Sequence, residues 1–160
     1  MEVVVVGRKM HEGPDILGGV TAGLIVILIA ILFVITPNLL GHLWNFIIDF
    51  AWQEVYPGFI WWAPQNPHPE VYNTLFLFLL GTLVINVIVL ILRVIFRDSY
   101  RRQIESIGGI IVSVGISWAA YNLTLNNNFT AFAGWAIVFI GVSIIISSLG
   151  YFAVRKMEAE

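Results

Sequence analysis

The chain has 160 residues, 59% of them apolar, 14% aromatic and only 11% charged, with a net charge of −2 and no cysteine. A soluble domain carries about 25% charged residues and cannot hide this much apolar surface at this size. A soluble enzyme, a nucleic-acid binder, a disordered tail, a disulfide scaffold and any thiolate metal or iron–sulfur site are excluded, leaving a single integral membrane domain over residues 1–160.

Arg8 and Lys9 precede the first apolar segment, Ile16–Ile35. At 1.5 Å per residue, about 20 residues cross the ~30 Å hydrocarbon layer, so this segment reads as a transmembrane helix. Pro14-Asp15 marks its start and Thr36-Pro37-Asn38 its end. It is longer than a signal-peptide apolar core and no small-x-small cleavage site follows, so it is expected to stay in the membrane. Gly19 and Gly23 form a GxxxG pair, a close-packing face.

Residues 37–71 hold four of the six tryptophans, Trp44, Trp52, Trp61 and Trp62. His42, Asn45, Asp49 and Gln53 fall at helical spacing with apolar residues on the other faces, which predicts an amphipathic helix in the outer interface. Tyr56-Pro57-Gly58 breaks it, Phe59-Ile60-Trp61-Trp62 offers anchors at headgroup depth, and Pro64, Pro67 and Pro69 form a stiff linker. The segment is expected to dock a partner, gate a pore mouth or anchor the chain. A metal ion shared by His42, Asp49 and His68 is disfavoured. His42 and Asp49 lie two helical turns apart, and no metal-ligand motif is present.

The second span, 72–96, has one polar residue near its middle, Asn86. A bare amide at that depth seeks a partner, either as a helix clamp or as a lining group in a polar path. Arg93, Arg97 and Arg101 step by four and, with Arg102, are candidates for anionic lipid head groups if the helix runs on past the membrane. The plainer reading is a basic anchor. The third span, 104–123, repeats Gly109, Ser113 and Ser117 every four residues, and Ser113 and Ser117 join Asn86 as clamp or path candidates. Asp15-Ile16-Leu17-Gly18-Gly19-Val20 faintly echoes Ser106-Ile107-Gly108-Gly109-Ile110, a weak hint of a repeated hairpin. Two glycosylation sequons, Asn122-Leu123-Thr124 and Asn128-Phe129-Thr130, fall at the outer loop around 124–129. The fourth span, 130–152, carries Ser143 and Ser147 and is followed by Arg155 and Lys156.

Those eight basic residues are every Lys and Arg in the chain, and the connections 37–71 and 124–129 contain none. The positive-inside rule places both termini and the central connection in the cytoplasm. The composition, with no cysteine and much Ile and Val, points to a prokaryotic plasma membrane.

Apart from Arg93, the hydrophobic spans hold no Asp, Glu, His, Lys or Arg in their middles. Axial haem ligation, a retinal Schiff base, a carboxylate relay and a buried catalytic dyad therefore lack their residues, and no cofactor is expected. The fold expected is all-α and polytopic, four transmembrane helices forming a bundle plus an outer interfacial amphipathic helix. The function expected is an accessory or structural subunit of a larger membrane complex. Its partners would be lipid, other membrane subunits or copies of itself, and anionic lipid at the cytoplasmic face, with no nucleic acid. The alternative is a small homo-oligomeric channel or transporter for ions or small neutral solutes. An enzyme working at the outer interface through His42, Asp49, Glu54 or His68 ranks last.

Overall fold

The structure is a computed structural model describing residues 16–157, so Arg8, Lys9, Pro14 and Asp15 lie outside the described residues. In chain order it contains α1 (Ile16–Ile35), α2 (Leu39–Ile48), β1 (Phe50–Tyr56), β2 (Phe59–Pro64), α3 (Pro69–Ile95), α4 (Tyr100–Asn126) and α5 (Phe129–Met157). The helices α1, α3, α4 and α5 are each long and apolar enough to cross a membrane. The start of α3 lies at Pro69 rather than residue 72. Proline suits the first helical position, because the N–H it lacks would have no partner there.

The principal packing runs α1 on α3, α3 on α4, and α4 on α5. The four long helices thus pack in sequence as an open row. In the row α4 is the enclosed member, with 39% of its most apolar window buried against 6% for each of the others. Small residues explain why neighbours can approach it from two sides. A Cβ on Gly115 would overlap the Phe139 ring, and one on Gly108 would lie 2.5 Å from Ser147 Oγ. Ser143 Oγ donates to the Gly108 carbonyl at 3.0 Å, and Trp118, Trp135 and Phe139 interlock beside that seam. On the other flank of α3, Gly81 makes room for Leu28 of α1. The buried hydroxyls of Thr36 and Thr74 meet at 3.1 Å and tie the end of α1 to α3.

Two sequence expectations are corrected. The polar stripe from His42 to Gln53 does not lie on one helix, because α2 stops at Ile48 and Gln53 sits in β1. Residues 50–64 form an antiparallel hairpin in which Trp52 faces Trp62 and Gln53 faces Trp61. Pro57-Gly58 turns the chain, with Gly58 at φ 78 as a type II-like turn demands, and the aromatic second strand supplies high β-propensity. The prolines are not one stiff linker: Pro64 ends β2 and Pro69 opens α3.

The arginine stripe is the second correction. The α3 helix ends at Ile95, before Arg97, so Arg93, Arg97 and Arg101 share no helix face. The Arg97 N–H bonds the Val94 carbonyl and the Asp98 N–H bonds the Arg93 carbonyl, with Arg97 left-handed at φ 52. That pattern is a Schellman stop, built on arginine where glycine is usual.

The Gly115 contact gives a direct test. Gly115→Leu is expected to destabilise the protein by about 1–3 kcal/mol through overpacking against Phe139. Gly134→Ala, where a Cβ meets nothing within 4 Å, should be close to neutral. Denaturant titrations of the purified chain in detergent compare the two, and equal stability of both variants would refute the seam.

Candidate functional site

Three places gather polar chemistry: the α3–α4 seam, the α3–α4 turn, and the junction of hairpin and helix row. In the seam, Asn86 Nδ2 donates to Ser113 Oγ at 3.1 Å. The amide also lies over Gly109, where a Cβ would meet it at ordinary contact distance, 3.6 Å or more. Ser117, one turn beyond Ser113, is 6% exposed, and its Oγ has no hydrogen-bond partner among the described residues. Other hydroxyls on these helices bond the carbonyl four residues back, as Thr82 does to Phe78 at 2.9 Å. The three residues that sequence reading grouped as clamp or path therefore divide into a bonded pair and one buried, unbonded hydroxyl.

At the α3–α4 turn, Arg93 is 7% exposed and folds back to donate to the Arg102 carbonyl. Asp98 lies between the arginines, 4.0 Å from Arg93 Nε and 3.1 Å from Arg102 Nη1. Its carbonyl also accepts from Gln103 Nε2 at 2.8 Å. Of the four arginines proposed for lipid head groups, Arg93 and Arg102 thus bind the turn itself. Arg97 is exposed, and the exposed Arg101 lies 3.6 Å from Glu105 and over the Tyr151 ring. Glu105 in turn accepts from the Tyr151 hydroxyl at 2.9 Å, joining α4 to α5.

The third place was only partly legible. Asp49 closes α2 and begins the hairpin, and its carboxylate receives the Asn66 N–H at 2.7 Å, Asn66 Nδ2 at 2.7 Å and His68 Nε2 at 2.9 Å. Its own carbonyl accepts the Gln65 N–H at 3.1 Å. One residue thus pins both ends of the hairpin to the start of α3. Beneath it, Phe46 meets Phe50, His68, Tyr72 and Phe129 edge to face, with centroids 5.0–6.1 Å apart. Val71, Tyr72 and Leu123 form the buried centre of this cap. Glu54 accepts the Gly58 N–H at 2.6 Å within the hairpin turn, and Glu70 lies in the first turn of α3. His42 stands apart from the Asp49–His68 pair, and among the described residues no three His, Asp or Glu side chains converge on a cation position.

Asn66 was not singled out from the sequence. The signal that could have found it is its place between two prolines in Pro64-Gln65-Asn66-Pro67, where a free backbone N–H and a short amide can turn back onto an acid.

The Asn66 N–H, the His68 ring and the Asn66 amide together hold the Asp49 carboxyl from its ordinary 3.8 down to about 2, against a smaller opposing effect of burial. A carboxyl that is lowered in the folded state stabilises fully above its unfolded pKa and loses that contribution as pH falls through its folded one. The hairpin should therefore stay docked at pH 5 and loosen between about pH 4 and pH 2. Asp49→Asn should already be loosened at neutral pH and show no further step in that window. Tryptophan fluorescence across the titration reads this, and an unchanged acid step in Asp49→Asn would disprove the role of the carboxylate.

For the seam, a double-mutant cycle of Asn86→Leu and Ser113→Ala is expected to return a coupling of about 0.6 kcal/mol, and no more than about 2. Additive single effects would mean that the hydrogen bond contributes nothing to helix association.

The chain matches no protein-family model, no curated protein and no solved structure. Its residues and their geometry carry the functional argument alone.

Proposed function

We propose that this chain is an accessory or structural subunit of a larger integral membrane complex, acting through its helix faces and through the end of the row that carries the hairpin. The observation carrying this reading is the open row. Its interior polar groups are largely bonded within the row, while large apolar faces at its edges have no partner among the described residues. On α2, Leu39, Leu43 and Phe46 pack inward, whereas Leu40, Trp44, Ile47 and Ile48 are each more than half exposed on the opposite side. Trp52 and Trp62, paired across the hairpin, are 75% and 53% exposed. Gly19 and Gly23 on α1, and Gly134 and Gly141 on α5, have nothing within 4 Å of a Cβ position, so both edges could accept another helix closely. The distribution of basic residues supports placing the α3–α4 turn in the cytoplasm and the hairpin outside, in a plasma membrane.

The buried, unbonded Ser117 hydroxyl favours the second reading, a homo-oligomeric channel or transporter with a polar path along α3 and α4. The two readings separate on the particle the chain inhabits, extracted from its own membrane in mild detergent. Co-migration with other polypeptides, in a particle several times the 17.9 kDa chain, is the expected outcome. A particle made only of copies of this chain would reverse the order, and solute flux lost in Ser117→Ala would then establish the path.

A further inference from the structure

Between the hairpin and the α4–α5 turn lies a recess of about 390 Å³. That falls toward the small end of the roughly 300–1,000 Å³ typical of small-molecule sites. Its polar wall is made largely of side-chain amides. Gln53, Gln65, Asn66, Asn126, Asn127 and Asn128 all line it, and no Asp, Glu, Lys, Arg or His does. The half-buried Phe129 supplies aromatic surface beside the amides. The structure uses some of these amides and leaves complementary atoms over. Gln53 Nε2 donates to the Ala63 and Pro64 carbonyls, and Asn66 Nδ2 to Asp49, so each keeps a carbonyl oxygen to accept. Asn128 Oδ1 caps α5 through the Ala131 N–H, so its amide nitrogen remains to donate. The side chains of Gln65, Asn126 and Asn127 make no hydrogen bond among the described residues.

A ring of uncharged groups, some offering only acceptance, some only donation and some both, selects a ligand whose own groups do both. Hydroxyls do so, whereas a phosphate or carboxylate only accepts and would meet no cation here. We infer that this recess binds a neutral polyhydroxylated group, a glycosyl unit, with the amides reading its hydroxyls and Phe129 supporting its apolar face. The same chemistry is offered by the head group of a glycolipid in the facing leaflet and by a free saccharide.

The experiment uses the full chain in detergent, titrated by native mass spectrometry with diacylglycerols carrying glucose, galactose or mannose as one or two units. Dioleoylglycerol and phosphatidylcholine serve as controls, and the matching free disaccharides form a second arm. Retention of at least one glycosyl lipid above both controls is expected. Binding of the lipid alone assigns a membrane source, and binding of the free disaccharide as well assigns recognition of the sugar itself. The test variant joins Asn126→Ala to Asn127→Gly. Asn127 is left-handed at φ 53, where glycine is at ease, so the fold should persist while two amides go. Binding should weaken about tenfold or more, near 1.4 kcal/mol per tenfold. If that variant does not fold, Gln65→Ala gives the same readout from an exposed residue with no side-chain bond to lose. Failure of every glycosyl probe to exceed the controls, or binding unaltered in a folded variant, overturns the inference.

Discussion

Close approach to α4 is the constraint on which the rest of the row depends. Where two helices are both surrounded by lipid or by other apolar side chains, the hydrophobic effect gives them little reason to associate, so dispersion and hydrogen bonds must hold them together. Both are short-ranged, and α4 permits them because its flanks are stripped of bulk. On one side Ser113 meets Asn86 beside the small Gly109, and on the other Gly108 and Gly115 admit Ser143 and Phe139. A helix of Leu and Ile at those positions would hold its neighbours too far apart for either bond.

The same reasoning explains what could be read from the sequence. Glycine and serine repeating every four residues along residues 104–123 mark a packing face by local periodicity, and an amide amid apolar residues announces that it needs a partner. The four membrane-length helices needed only length and hydropathy, and the first lies where it was expected, at Ile16–Ile35. The hairpin was hidden for a physical reason. Residues 42–53 carry a helical polar spacing, but β1 exists because β2 pairs with it, and a period measured in one segment cannot register a partner strand lying several residues on. The end of α3 was hidden for another reason. A Schellman stop usually announces itself through glycine, and here the left-handed position belongs to Arg97, whose long basic side chain reads as a continuation of a stripe. Arg93 then turns inward to the very turn that interrupts the stripe.

At the other end of the row, Asp49 resolves a problem that the hairpin creates. A two-stranded hairpin alone is marginal in water, and this one is the only sheet among the described residues. The Asp49 carboxylate converts it into part of the helix row by receiving two donors from Asn66 and one from His68 at the foot of α3. The aromatic cluster around Phe46 then gives the docked hairpin an apolar floor. His68 and Asp49 look like a catalytic pair by residue type alone. In the structure each is engaged in holding the hairpin to the start of α3, and the Tyr72 ring lies edge to face with His68 beneath them.

An open row has a further physical consequence. Closing four helices into a bundle lets each bury two seams, whereas α1 and α5 here each bury one main seam. The remaining faces of α1 and α5 belong to helices long and apolar enough to cross a membrane, but the exposed Leu40, Trp44, Ile47 and Ile48 belong to a short helix held against α3. That surface and the amide-lined recess lie at the same end of the molecule, around the hairpin that Asp49 fastens. The recess wall is drawn from both the hairpin and the α4–α5 turn, so its shape requires the hairpin to stay docked. A change that releases Asp49 would therefore loosen the tryptophan surface and open the recess together, coupling the two through one carboxylate.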